Sequence, residues 1–288
     1  MASVQQIKRR IRSVKSTKQI TKAMELVAAS KMRRAQEATL RSRIYANTAN
    51  EILTRLSELI DVKGHPLFAQ RAVKSKLFIV IASDRGLAGA YNSNILKTLA
   101  NTLKTEIDAG VSVKVVTIGR QASRFVARLE DVEHIGAYDD FADNPTEKDV
   151  KPIVETVFSR FEGLKEDEVV VLYTDFKSSI VQEVTAKKLL PAAFVETENS
   201  LEVDRDMFEP SPKRVLETIT PRLIEVQLFQ AILESQASEQ SMRMMAMKSA
   251  TDNAGDIIDD LTLVYNSARQ ASITQELAEI TAGAEAIA

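Results

Sequence analysis

The stretch Ser83-Asp84-Arg85-Gly86-Leu87-Ala88-Gly89-Ala90-Tyr91-Asn92 is the only glycine-bearing strand-to-helix turn with the makings of a phosphate cradle. Glycines at such a turn let the backbone approach a phosphate at a helix N-terminus. The third glycine of the dinucleotide pattern is missing, however, and no Gly-Lys-Ser/Thr follows. The residues therefore favour a structural turn that packs a helix closely on its strand. Asp139-Asp140 and Asp259-Asp260 lack the spacing of a calcium loop and read as solvated acids. The only two histidines are His65, expected in a linker, and His134, expected in a connection after a helix, so no Ser, His and Asp set forms. With no cysteine in the chain, disulfides and thiolate chemistry are excluded and zinc would be left with a carboxylate shell it rarely accepts. No catalytic residue, cofactor or metal ligand is expected. Met242, Met244, Met245 and Met247 read as adaptable core filler, with a promiscuous contact surface as the alternative.

The elements that position these residues are dominated by two long helices. From Pro221 to about Ala282 the chain has no further proline and one interior glycine, Gly255. Val226, Leu233, Ala237, Met244, Met247, Ala254, Ile258, Leu261, Tyr265 and Ala268 follow a three-and-four alternation that leaves one narrow seam. At about 1.5 Å per residue such a helix is on the order of 90 Å long and is expected to protrude from any globular body. Residues 2 to 61 also lack glycine and proline, and Val4, Ile7, Ile11 and Val14 mark a seam there. A phase shift is expected to move it to Ile20, Met24 and Val27. Two terminal helices with narrow stripes bury them most economically against each other.

Between them, Lys76–Ser83, Val111–Ile118 and Glu168–Thr174 are continuous apolar runs of the kind buried on both faces of a parallel sheet. Helices are expected over 92–107, 119–129 and 147–161, and a hairpin-like neighbour over 178–186 continues toward a sheet edge. The section 138–144 reads as an acidic loop. The fold class is thus α/β plus long helices, with a Rossmann-like α/β domain inserted between two terminal coiled-coil helices. Expected boundaries are 1–61 for the N-terminal helix, 73–195 for the α/β domain, 196–212 for an exposed connection and 213–288 for the C-terminal helix.

Composition narrows the function classes. The 288 residues are 44% hydrophobic and 27% charged, as in an ordinary folded chain. No window resembles a membrane span, and the start lacks the apolar core of a secretory signal. A net charge of -2 conceals an asymmetry: residues 1–43 hold twelve Lys and Arg against Glu25 and Glu37, whereas residues 252–288 hold seven acids against Arg269. A basic helix suits nucleic acid, an anionic membrane surface, an acidic protein partner, or simply the solvated face of a coiled coil.

Ile7 to Met32 (IKRRIRSVKSTKQITKAMELVAASKM) and Ala237 to Ala282 resemble the terminal signatures of the gamma subunit of F-type ATP synthases. SDRGLAGAYN resembles that family's central turn, which commonly has a cysteine where this chain has Ala88. The resemblance implies an antiparallel, left-handed coiled coil standing inside a hexamer of alternating alpha and beta subunits. The α/β domain would form a foot that rests with the epsilon subunit on the c-ring. Such a subunit is a rotor that passes torque between the c-ring and the catalytic beta subunits, without chemistry or nucleic acid of its own.

By resemblance, Arg269 and Gln270 match the polar pair that bonds a beta-subunit loop, with Thr274 and Glu279 further along. Met24 matches the shaft residue beside the beta-subunit lever, with Arg243 nearby on the opposite helix. Glu196–Pro210 is expected to meet epsilon or the c-ring, and the last residues, Ile280–Ala288, to form a smooth tip. A bacterial plasma-membrane location, peripheral and on the cytoplasmic side, is expected. Two other readings stay open: a nucleic-acid-binding coiled coil, which predicts a steep salt dependence, and an enzyme using the α/β domain, which predicts nucleotide binding sensitive to Gly86 and Gly89.

Overall fold

The computed structural model describes residues 4–59, 66–142, 145–192 and 211–285. The elements in order are α1 (Val4–Leu59), a 3-10 turn (Pro66–Phe68), β1 (Ser75–Ile81), α2 (Tyr91–Asp108), β2 (Ser112–Ile118) and α3 (Arg120–Val126). They continue with β3 (Glu133–Tyr138), α4 (Glu147–Glu162), β4 (Glu168–Phe176), β5 (Gln182–Leu190) and α5 (Pro212–Glu285). The chain divides into two units, residues 29–242 and residues 1–28 with 243–288. Nearly all of the expected connection 196–212, including Glu196–Pro210, lies outside the described residues, as does His65.

In residues 29–242 a five-stranded sheet runs in the order β3-β2-β1-β4-β5, parallel except for β5, which pairs antiparallel with β4. The three apolar runs became its central strands because each buries both faces. One face (Leu77, Ile79, Val116, Val171) packs on α4 and on the α5 residues Ile224, Leu228 and Ile232. The other (Phe78, Val80, Val115, Leu172) packs on Ile95, Leu99 and Leu103 of α2 and Ala122 and Val126 of α3. A side chain such as Leu228, fully buried, contributes about 1.5–3 kcal/mol. Thr146 and Asp149 form a capping box that starts α4.

Two expectations need correction in this unit. The residues before Tyr138 are strand, not connection: β3 is an edge strand, and His134 sits in it with Nε2 2.9 Å from Thr117 Oγ1. The long C-terminal helix begins at Pro212, one residue before the expected boundary of 213, so that Pro221, where the proline-free run begins, lies inside it. Proline is tolerated in a first turn, where its missing N–H has no partner to lose, and Pro212 takes that position.

In residues 1–28 with 243–288, two helical segments pair. Thr251 Oγ1 donates to Thr21 Oγ1 at 2.8 Å, both side chains buried. One turn away, a Cβ on Gly255 would come within 3.0 Å of Lys18 Nζ. The partner number rises as the other falls, so the segments are antiparallel. On α5 the positions Met244, Met247, Thr251, Ala254, Ile258, Leu261, Tyr265 and Ala268 are buried or half-buried, a heptad seam as expected, with Ala246, Ala250 and Gly255 half-buried beside it. On α1 the expected phase shift does not occur. Burial continues through Ile7, Val14, Thr21 and Ala28 at unbroken seven-residue spacing, while Ile20 and Val27 are more than half exposed. Thr21 and Ala28 are small enough for close helix approach, and the Thr21 hydroxyl is satisfied across the seam, so larger neighbours are not drawn inward.

Candidate functional site

An open α/β sheet binds ligands at the carboxyl ends of its strands, where the strand order reverses. Here that crevice lies between β1 and β4, because β1 connects through α2 to β2 on one side and β4 lies on the other. Ser83-Asp84-Arg85-Gly86 leaves the end of β1. Its turn is closed by its own side chains: Asn92 Oδ1 accepts from Ser83 N at 3.1 Å, and Ser83 Oγ donates to the Arg85 carbonyl at 2.7 Å. Gly89 adopts a positive φ of 56°, a conformation that glycine takes without penalty. Gly86 has open space around the position of a Cβ, so no close backbone approach requires a glycine there.

Asp84 ties three loops together. Its Oδ1 accepts from the backbone N–H of Arg120 at 3.0 Å and of Asp140 at 2.9 Å, and its Oδ2 from Phe141 at 3.1 Å. Arg120 also pairs with the Asp140 carboxylate at 2.5 Å. The sequence offered only a lone acid after a strand, which has no signature of its own.

A ridge of serines on α5 fills the crevice. Ser235, Ser238 and Ser241 recur every three residues and none has any exposed surface. Ser235 Oγ lies 2.7 Å from the buried hydroxyl of Tyr91 and accepts from Thr174 N at 3.4 Å. Ser238 Oγ donates to the Thr174 carbonyl at 3.1 Å, and Ser241 Oγ to the Ser179 carbonyl at 2.8 Å. Gln236 adds a bond to the Ala142 carbonyl at 2.9 Å. Serine hydroxyls can replace the polar groups of a ligand at strand ends, leaving few buried donors or acceptors unmatched. What the arrangement does is mechanical: it locks a helix where another doubly wound domain would hold a nucleotide. This ridge was missed at the sequence level, where serines at helical spacing look like solvated positions.

The six residues carried by resemblance lie elsewhere, in the paired helices. Met24 is half-buried beside the seam, and the Thr21–Thr251 register sets it level with Lys248. Half-buried Arg243 is then about 7.5 Å away along the axis, at about 1.5 Å per residue. Arg269, Gln270, Thr274 and Glu279 are all exposed, at or beyond the level of Val4, the first described residue of α1. Thr274 Oγ1 donates to the Gln270 carbonyl at 2.9 Å, and Glu279 accepts from Gln275 at 2.9 Å. The structure thus groups Gln270 with Thr274 and leaves Met24 and Arg243 in a separate patch. Exposed apolar side chains also mark this unit: Ile20, Leu26 and Val27 on α1, and Leu263, Val264, Leu277 and Ile280 on α5. Repeated large apolar side chains on a surface point to contact with another protein.

No helix among the described residues is long and apolar enough to cross a membrane. Among them no group of three or more His, Asp or Glu is arranged to hold a metal.

A family model described as ATP synthase matches residues 3–287. The chain is 43% identical to the ATP synthase gamma chain of Glaesserella parasuis over the full length of both. It is 41% identical to that of Desulfitobacterium hafniense, again over both full lengths. Its fold is similar to a chain of the Euglena gracilis mitochondrial ATP synthase (OSCP/F1/c-ring, rotational state 3), with a TM-score of 0.68 at 16% identity over 99% of this chain and 94% of that one. A second similar structure is the central stalk/c-ring of the Tetrahymena thermophila mitochondrial ATP synthase, with a TM-score of 0.61 at 24% identity over 80% of this chain and 99% of that one. Full-length identity of this order, joined to the paired terminal helices and the helix-filled sheet, places the chain in the ATP synthase gamma chain family.

Proposed function

We propose that the chain is the central-stalk rotor subunit of a membrane-attached ATP synthase and has no catalytic role of its own. The observation that carries this reading is α5. One uninterrupted helix, Pro212–Glu285, supplies the serine ridge that fills the sheet crevice and also the seam that pairs with α1. A rotor needs a hydrogen-bonded path along which torque passes, and the part of α5 after Pro221, which has no further proline, provides one between the ridge and the seam. A rotor also has to present different side chains in different directions, because a ligand-state equilibrium shifts only through contacts that differ between states. The exposed surface of the paired helices has that asymmetry, with basic residues concentrated on α1 and acids on α5.

In this reading the paired helices stand within a hexamer of alpha and beta subunits, which perform the ATP chemistry. Met24, Arg243, Arg269, Gln270, Thr274 and Glu279 are the proposed contacts to those subunits. The α/β domain meets the epsilon subunit and the c-ring, so the chain is peripheral to a bacterial plasma membrane on its cytoplasmic side. Nucleic acid is not a partner in this reading, and the basic residues of α1 serve acidic loops of the hexamer by long-range attraction.

The test is to replace Arg269 and Gln270 by alanine. Both are exposed, so the isolated chain is expected to keep its thermal midpoint while coupled ATP synthesis or hydrolysis by the assembled complex falls. Unchanged turnover would remove these two residues from the contact set. Failure of the wild-type chain to co-purify with a nucleotide-hydrolysing hexamer would overturn the function.

A further inference from the structure

Beside the serine ridge, and separate from it, a polar cleft of about 350 Å³ opens between α1, α5 and the β4–β5 edge of the sheet. Its charges are mostly spoken for. Glu234, nearly buried, accepts from Arg43 at 3.0 Å and from Gln230 at 2.9 Å. Asp175 pairs with Lys177 at 2.5 Å. Tyr173 is buried, and its hydroxyl is held neutral by that burial and by the neighbouring Glu234 and Asp175. What remains is Lys187, which has no ion pair or hydrogen bond among the described residues, and the amide of Gln227, also unengaged among them.

Lys187 lies on β5 opposite Val171, so it projects to the α5 face of the sheet, whereas its neighbour Lys188 pairs with Glu168 at 2.9 Å. The protein around its ammonium holds the pKa below the ordinary lysine value, against the pull of Glu234 and Asp175. Three cations and two carboxylates line the cleft, and two of the cations are matched. The cleft therefore has one positive charge in excess, on the exposed Lys187, and two donors with no protein partner among the described residues.

We propose that this cleft is a socket for a single carboxylate presented by a partner protein, an aspartate or glutamate side chain that accepts from Lys187 and Gln227. A monoanion fits one uncommitted cation. A doubly charged phosphate would face Glu234 and Asp175 with one charge too many. A free small carboxylate gains little from one ion pair, whereas a side chain delivered on a larger interface binds through that interface as well. The setting supplies such an interface, because β5 is the edge strand of the sheet and edge strands offer unpaired backbone groups to other chains.

The experiment compares the reactivity of Lys187 toward an acylating reagent in the purified full chain and in the assembly isolated with this chain under native conditions. Mass spectrometry reads the labelling, and a carbodiimide then joins any contacting amine and carboxylate. A paired carboxylate that returns even one pKa unit lowers the free amine, and so the labelling, by about tenfold. The expected result is that loss in the assembly and an amide between Lys187 and an acidic residue of another subunit. The variant Lys187→Gln, with an unchanged urea midpoint, loses the cross-link. Equal labelling in both samples without a cross-link overturns the socket, as does recovery of the chain alone. Protection of the isolated chain by inorganic phosphate would assign the cleft to a free oxyanion and overturn the protein source. The readout does not depend on which proteins form the assembly, so it fails separately from the rotor reading.

Discussion

Helix α5 lives in two environments, and they differ sharply. Over residues 223–241 it is covered nearly all round: Leu223, Ile224, Leu228, Ile232, Leu233 and Ala237 are buried together with Ser235, Ser238 and Ser241. Over residues 244–284 only every third or fourth residue is covered, and beyond Ser272 every position with a described side chain is exposed. The first stretch is a core helix whose polar groups are matched one by one. The second is half of a pair with a seam of small residues and with large apolar side chains left outside. Stability resides in the first, and the second has a surface shaped for something other than its own folding.

That contrast predicts unequal costs. Phe161 is fully buried in the same cluster as Leu228, so Phe161→Ala is expected to destabilise the chain by about 3–5 kcal/mol, the range for large-to-small changes in a packed core. Urea denaturation measures it, and a cost below about 1 kcal/mol, within the range of ordinary surface changes, would mean that the core is not packed as described. Ser235→Ala removes the hydrogen bonds of Ser235 to Tyr91 and to the Thr174 N–H, at an expected cost of about 1–3 kcal/mol. In the assembled complex it should also lower the yield of ATP per ion moved, because the ridge holds the helix to the sheet. A stable variant with undiminished coupling would make the ridge a packing detail.

A pH series sharpens the same contrast. At the start of β4, at the end of the sheet opposite the crevice, Glu168 meets Lys188 at 2.9 Å and Lys76 at 3.3 Å. Burial by itself raises its pKa, but the two lysines outweigh it and leave the value below the ordinary 4.5. A depressed folded-state pKa gives stability that is present above the unfolded value and lost as pH falls through the folded one. Urea midpoints of the wild type should therefore fall between about pH 5 and 3, with a shallower decline in Glu168→Gln. Parallel curves would discard the ion pairs as a source of acid sensitivity. The smallest effect is expected from Ile20→Ser, on the exposed flank of the paired helices. Isolated stability should stay within about 0.5 kcal/mol, while assembly with the hexamer weakens. A large loss of isolated stability would return Ile20 to the seam.

How far the sequence could be read follows from the same physics. β1, β2 and β4 were legible because continuous apolar runs have few other uses. β3 was not, since an edge strand reading Glu-His-Ile-Gly-Ala-Tyr is half polar and contains a glycine. The seam on α5 was legible through its three-and-four spacing. On α1 the large apolar Ile20 and Val27 mask the true register, because the paired helices bury small Thr21 and Ala28 instead. The serine ridge left no trace in the sequence, and Asp84, although within the Ser83–Asn92 turn, gave no sign of its role, for a hydroxyl or a carboxylate acquires a structural role only when distant segments bring it partners. The six residues of the paired helices came from resemblance, and of these only Met24 also stood out by its spacing.

The chain has no cysteine, so Lys104→Cys, at an exposed position on α2, provides a unique thiol for attaching a bead to the complex held by its hexamer. With ATP supplied, the bead is expected to turn in one direction at a rate that follows hydrolysis. A bead that stays still on a complex actively hydrolysing ATP would contradict the rotor.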